Sequence, residues 1–355
     1  MTVTVDPRVE LLAIAQGLSS YPYQSIPLTL AYGQELREHF AGLENHELIR
    51  FIHDRWERGF GFDAPVVLAL SLDPGDYSRY IHAVPREYRD RAGGQAGIER
   101  FAALMASFAA TARFGEFVRE HRPEYESWVR EFASGLAEWE VRGRLEKFYG
   151  VALPKPTVVL SGVMQGPQFG PLVGAGGEAT AYVVMGRTSE RGVDGRLEPS
   201  FRVSAGTVRA LYHELSHSVV NPLLDAHAAD VAARSSLAEP LRARLAPMGY
   251  PDWNAMLGEH IVLAVETYLA FEENPAQRES ALDRYEELGF EYIRSGYGMI
   301  ERYGAGRGGA APADHADRSA DAAGETGARR EEYTDFAAFL PVLLEELPRW
   351  VADRM

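Results

Sequence analysis

The residues best suited to chemistry form one short motif, His213-Glu214-Leu215-Ser216-His217, which reads H-E-x-x-H. On an α-helix, residues four apart lie one turn apart on the same face, so His213 and His217 can direct both imidazoles at one point. Such a pair is typical of a zinc site. Glu214 lies about 100° round the helix from His213, so it is placed to reach a water molecule on the metal.

This spacing predicts a zinc-dependent hydrolase in which Glu214 is the general base. Zinc lowers the pKa of bound water to about 7, and the carboxylate takes the proton as the water attacks a polarised carbonyl. From Ala210 to Val219 the residues flanking His213, Glu214 and His217 are uncharged, and the stretch contains no proline, as a half-buried helix requires. The alternative is a surface helix with two solvated histidines.

A catalytic zinc ion needs a third protein ligand. The short spacing with a histidine six residues after His217 is excluded, because position 223 is Leu. His227 follows the Pro222 break and is expected at the surface.

The better source of the third ligand is the apolar segment from Met256 to Phe271, which carries Glu259 and Glu266 on one helical face. Carboxylates on such a helix are costly unless they are paired or coordinated. We predict Glu259 as the third ligand. Glu266 is the alternative, although a salt bridge or a contact to a ligand suits it better. His260 adjoins Glu259 and is a weaker candidate for stabilising an oxyanion.

Composition limits the partners. The chain has 355 residues, with 36 basic and 51 acidic side chains and a net charge of −15, so it repels nucleic acid and anionic membrane surfaces. We therefore expect neither nucleic acid nor membrane as a partner. With no cysteine, any zinc must be held by histidine and carboxylate.

The sequence has no basic region followed by an apolar run near Met1, and no segment of 18 consecutive apolar residues. The natural interpretation is a cytoplasmic protein, although a mature form from which a signal had been removed would look the same.

Changes in amino-acid composition and hydrophobic periodicity divide the chain into four parts. Residues 1–150 are predicted to be a helical N-terminal part, 151–303 the catalytic part, 304–330 a disordered low-complexity loop, and 331–355 an amphipathic helix that docks on the body. Predicted helices of the first part are 9–18, 35–40, 47–58, 98–113, 115–122 and 124–148, and its histidines lack metal spacing.

Two β-rich runs, 156–163 and 179–186, flank a Gly/Pro-rich segment and predict a small antiparallel sheet before the motif helix. In the second run, residues 179–185 are a weak candidate for an edge strand that pairs with an extended peptide. The motif helix is expected to be capped by Ser204 or Thr207 and to stop at Asn221, before Pro222. A later helix, 282–300, and Tyr268 offer tyrosines as candidates for holding an oxyanion.

Two histidines on one helix and a glutamate on a later one resemble the gluzincin arrangement of zinc peptidases. Residues 5–12 (VDPRVELL), 213–222 (HELSHSVVNP) and 258–264 (GEHIVLA) also resemble a bacterial family regarded as metallopeptidases and named largely as a domain of unknown function. The resemblance spans most of residues 5–303. It implies His213 and His217 as ligands, Glu214 as catalytic and Glu259 as third ligand. Thermolysin-type enzymes carry an Asp four residues after the third ligand. That Asp is absent here, since position 263 is Leu.

The sequence thus predicts an α+β, mostly helical, zincin-like fold. The predicted activity is that of a zinc metallopeptidase acting on peptides or proteins. Two alternatives remain: a zinc hydrolase of a non-peptide amide, and a non-catalytic binding or regulatory protein stabilised by zinc. Glu214 argues against the second, because a structural site needs a fourth protein ligand rather than a base beside an open position.

Overall fold

The structure is a computed structural model that describes residues 1–19, 21–22, 24–193, 195–307 and 333–352. Over these residues the chain is mostly helical and carries a small mixed sheet, so the fold class is α+β, as predicted.

The chain separates into two compact units. The first comprises Met1–Arg142 and Leu153–Ser218, and the second comprises Gly143–Ala152 and Val219–Met355. These limits differ from the predicted division after residue 150, because the N-terminal strand and the strands that follow residue 150 belong to one sheet.

Nine helices lie between the first strand, at Thr2–Thr4, and the other strands of the described chain. They are α1 (Pro7–Leu18), α2 (Ala31–His39), α3 (Glu47–Trp56), α4 (Asp63–Ser71), α5 (Arg86–Arg91), α6 (Gly94–Thr111), α7 (Phe114–Glu120), α8 (Arg122–Leu136) and α9 (Val141–Tyr149). The prediction overlooked α4, since every residue from Ala64 to Ser71 is buried and the segment has no polar face to reveal a helical period. The helix predicted over 124–148 is broken near Glu140, which has a φ of 46°.

The strands lie in the first unit. They are β1 (Thr2–Thr4), β2 (Thr157–Gln165), β3 (Pro167–Phe169), β4 (Leu172–Val173), β5 (Thr180–Arg187), β6 (Ser189–Val193) and β7 (Arg196–Ser200). The main sheet has the order β1-β2-β5-β3, with β4 also on β5, while β6 and β7 form a separate hairpin.

The predicted antiparallel sheet is wrong for its two long strands, because β2 and β5 run parallel and only β3 and β4 are antiparallel to β5. After β2 the chain crosses the end of β5 and returns along the far edge of β5. The crossing is close: a Cβ on Gly186 would lie 2.3 Å from the backbone N of Gln165. Since β5 is paired on both sides, residues 179–185 are not an edge strand.

The segment from Asp6 to Glu10 ties α1 to its neighbours. The Asp6 side chain caps α1 by accepting from the Arg8 backbone, and the buried Arg8 guanidinium donates to the carbonyls of Leu70 and Leu72 at 2.6 and 2.8 Å. Burial raises the pKa of Glu10, and hydrogen bonds from Ser161 of β2 and from Tyr32 partly offset that rise. These residues belong to the segment 5–12, which resembles the metallopeptidase family, and their contacts show that they pack α1 against its neighbours.

The motif helix α10 (Ala205–Ala226) begins with a reciprocal cap. Ser204 Oγ accepts from the Thr207 backbone at 3.2 Å, and Thr207 Oγ1 accepts from the Ser204 backbone at 3.2 Å, an arrangement worth about 1 kcal/mol. The expected stop at Asn221 is wrong: Pro222 lies inside the helix, which continues for one more turn. Pro222 lacks a backbone N–H, so the helix loses a single hydrogen-bond donor there. The last turn is completed by hydrogen bonds from the His227 backbone N–H to the Leu223 and Leu224 carbonyls.

The second unit is helical. Its later elements are α11 (Ala228–Ala232), α12 (Glu239–Leu245), α13 (Trp253–Ala270), α14 (Pro275–Leu288), α15 (Ile293–Arg307) and α16 (Phe336–Ala352). The predicted amphipathic C-terminal helix corresponds to α16, in which the predicted apolar face is buried: Phe336, Phe339, Leu340, Leu343, Leu344, Leu347 and Trp350. Residues 304–307 of the predicted disordered loop belong to α15, and the rest of that loop, with His315, lies outside the described residues.

Within the described ranges, no single helix is long and apolar enough to cross a membrane. The helices α6 and α7, bent by 62° relative to each other, meet that test of length and composition only as a pair.

Candidate metal centre

The two motif histidines lie on α10 as their spacing predicts. Their rings have centroids 5.0 Å apart at an interplanar angle of 78°, and their Nε2 atoms are 3.4 Å apart. Zinc–nitrogen bonds of about 2.0–2.1 Å at tetrahedral angles would place two such nitrogens about 3.3–3.4 Å apart. The imidazole pair therefore fits one metal ion without rearrangement.

Glu259 completes the group. His213, His217 and Glu259 each offer one ligand atom, and the three atoms lie within 4.8 Å of one another. Glu259 lies on α13, a helix with few polar residues, and is only 6% exposed. Two imidazoles and a carboxylate suit zinc and also other divalent transition metals. The geometry therefore defines a group that could hold a metal ion without naming the element.

Glu266, the alternative third ligand, has another partner. Its carboxylate accepts a hydrogen bond of 2.6 Å from the Tyr285 hydroxyl, and both side chains are buried. It is not in the metal-binding group. This distinction could not be made from the sequence, where the two glutamates share one helical face.

Glu214 is not part of the ligand group, but a neighbouring segment approaches it closely. A Cβ on Gly170, between β3 and β4, would lie 2.3 Å from the Glu214 carbonyl oxygen and 2.7 Å from its carboxylate Oε2. Position 170 therefore requires glycine, since only a residue without a side chain lets this connection lie against the motif helix. The sequence shows Gly170 merely as one of several glycines in a turn-rich segment.

Three of the tyrosines considered as oxyanion donors, Tyr285, Tyr292 and Tyr297, have other hydrogen-bond acceptors. The hydroxyl of Tyr292 donates to the Leu237 carbonyl at 3.1 Å, and that of Tyr297 donates to Glu301 at 3.1 Å. His260 is 1% exposed, with Nδ1 2.7 Å from the Met256 carbonyl. These contacts indicate that Tyr292, Tyr297 and His260 belong to the core of the second unit.

A second group with metal-ligand chemistry lies in the first unit. Glu35 of α2, with His121 and Glu124 at the start of α8, also has ligand atoms within 4.8 Å of one another. The sequence assigned His121 an ordinary role because its partners come from another helix and from the next turn. Burial, followed by the charges of Glu198, Glu35 and Glu10, raises the pKa of Glu124 to about 8.

The fold and this geometry define an α+β protein with a His-His-Glu group that could hold a metal ion. The chain belongs to the family described as a domain of unknown function, DUF4932, which matches residues 1–309. No curated protein and no solved structure matches the chain significantly.

Proposed function

We propose that the protein is a zinc-dependent metallopeptidase, with His213, His217 and Glu259 as metal ligands and Glu214 as general base. The observation that carries this proposal is the convergence of three ligand atoms within 4.8 Å, two of them imidazole nitrogens 3.4 Å apart. Three protein ligands are typical of catalytic zinc sites, which keep the fourth position for water or substrate.

Zinc bound by these residues supplies Lewis-acid chemistry, polarising a carbonyl and lowering the pKa of water. Glu214 accepts the proton of the attacking water and returns it to the leaving amine. The backbone and carboxylate of Glu214 lie against Gly170, which limits the side-chain positions open to the base on that side.

The test compares the wild-type chain with Glu214→Gln, which keeps the size of the side chain and removes its basicity. Elemental analysis is expected to give one zinc per chain in both proteins. Cleavage of a broad peptide library should fall by about 10²–10⁴-fold in the variant. A matched control is Glu239→Gln, an exposed glutamate on α12 whose replacement should leave the rate unchanged.

Equal hydrolysis by wild type and Glu214→Gln would refute the assignment of the base. Cleavage of non-peptide amides alone would favour the first alternative. Zinc without turnover in the wild type, together with a large loss of melting temperature on chelation, would favour a binding protein stabilised by zinc.

A further inference from the structure

A cavity of about 280 Å³ lies in the first unit beside the β3 end of the sheet. Its walls come from three segments that are distant in sequence, and among the described residues that line it none carries a charge. Five of the wall residues are apolar or aromatic (Tyr21, Phe62, Met164, Pro167 and Phe169), and two are uncharged polar residues, Gln16 and Gln24. Walls formed mainly by aromatic rings and a thioether favour a large apolar group, above all an aromatic one.

Phe62 is held at this cavity by a strained backbone. Its φ of 53° and ψ of −119° are rarely adopted by a bulky residue, yet its side chain is 45% exposed. Core packing therefore does not account for the strain. Strained residues that present an exposed side chain occur preferentially at functional sites.

The loop around Phe62 is fixed by hydrogen bonds. The Phe62 backbone N–H donates to the Tyr21 hydroxyl at 2.9 Å. Arg91 donates to the carbonyls of Gly59 and Gly61 at 2.7 and 2.6 Å and to the carboxylate of Asp63 at 2.8 Å. These bonds fix the backbone on both sides of Phe62 at the cavity before any ligand arrives, which lowers the entropic cost of binding.

The opposite wall leads directly to the proposed general base. Phe169 is the last residue of β3, and the next residue, Gly170, lies against Glu214. An extended chain advances about 3.3–3.6 Å per residue. A substrate peptide whose scissile bond lies beside Glu214 can therefore place in this cavity a side chain only a few residues from that bond.

We infer that this cavity binds a large apolar, preferentially aromatic, side chain of a peptide substrate. The inference rests on the proposed peptidase function and adds the substrate class: peptides with an aromatic residue at one fixed position near the cleaved bond. Charged side chains at that position are disfavoured, because they would lose water without gaining a partner of opposite charge.

The first test is cleavage of a position-scanning peptide library by the full-length zinc-loaded protein. One position should show a preference for Phe, Tyr or Leu over Ala and Asp. Phe62→Ala and Phe169→Ala should each lower kcat/KM for the Phe peptide by about tenfold or more, with little change for the Ala peptide. Ile81→Ala is the matched control, since Ile81 is 44% exposed and lies outside the cavity.

A second measurement separates failure of this inference from failure of the proposed function. Fluorescence anisotropy on Glu214→Gln reports binding of labelled peptides that differ only in carrying Phe or Ala at the scanned position. Tighter binding of a Phe peptide, lost on adding Phe62→Ala, supports the cavity even if the wild type cleaves nothing. An aromatic preference that is absent, or unchanged in both cavity variants, overturns it. Melting temperatures show whether each variant is folded.

Discussion

Two groups of histidine and glutamate side chains satisfy the same distance requirement, but different atoms face their imidazole nitrogens. In the group of Glu35, His121 and Glu124, Nδ1 of His121 lies 2.9 Å from the Phe117 carbonyl and Nε2 lies 3.1 Å from a Glu35 oxygen. Both neighbours are oxygen atoms, so each ring nitrogen of His121 already has a hydrogen-bond partner within the protein.

In the motif group the Nε2 atoms of His213 and His217 instead face each other across 3.4 Å. This separation matches that of two nitrogen ligands on one tetrahedral zinc ion. The comparison shows that short distances among donor atoms do not by themselves make a metal site. The atoms that the ring nitrogens already contact also decide which group suits an ion.

The surroundings of the first-unit group fit an ion-pair network. Glu35 also accepts from Arg196 at 3.3 Å, and Glu124 shares a hydrogen bond with Glu198. Positive charge and a shared proton thus already balance part of the negative charge here. The two groups should therefore respond differently to the loss of a histidine.

The largest expected difference is in metal content. His213→Ala should reduce bound zinc from one per chain to none, because a remaining imidazole and carboxylate hold zinc weakly. His121→Ala should retain the full amount. Elemental analysis after dialysis against metal-free buffer measures both, with melting temperatures to confirm folding. Two zinc ions in the wild type, or loss of zinc from His121→Ala alone, would break the comparison.

A smaller effect separates the two buried glutamates of α13. Glu259→Gln should weaken zinc binding by at least about 100-fold, while Glu266→Gln, which still accepts a hydrogen bond from Tyr285, should cost less than about tenfold. Competition with a fluorescent chelator gives both affinities. If Glu266→Gln weakened zinc binding more than Glu259→Gln, Glu266 would be the third ligand. The 2.6 Å hydrogen bond from Tyr285 would then no longer argue against it.

The part of the candidate site that the sequence predicted well lies on one helix. The geometry of His213, Glu214 and His217 follows from the helical repeat, which a short motif specifies completely. Selecting Glu259 needed a further step, because residues on separate helices are related only by packing. The apolar character of α13 made its two carboxylates conspicuous as candidates, and the structure shows that Glu259 rather than Glu266 joins the group.

What the sequence could not predict depends on contacts between distant segments. The lengths and compositions of β2 and β5 indicate strands but not their direction of pairing, which is set by the crossing at Gly186. The cavity wall at Phe62 depends on a backbone conformation that no local pattern indicates. His121 likewise has no local signal, since its hydrogen-bond partner Glu35 lies 86 residues earlier.

The smallest predicted effect concerns the pH dependence of stability in the ion-pair network. With its pKa raised to about 8, Glu124 keeps a proton in the folded protein that it loses near its ordinary value when unfolded. The folded state therefore binds more protons between about pH 4.5 and 8, so the free energy of unfolding falls as pH rises through that range. One proton limits this slope to about 1.4 kcal/mol per pH unit.

Glu124→Gln cannot ionise and can still donate a hydrogen bond to Glu198, so its stability relative to the wild type should rise steadily from pH 5 to 8. Urea denaturation at several pH values with equal zinc present measures the difference. Glu126→Gln is the control, because Glu126 is an exposed carboxylate on the same helix, 60% accessible. If Glu124→Gln and the wild type lose stability in parallel over this range, Glu124 does not hold the shared proton, and the ion-pair account of the first-unit group fails.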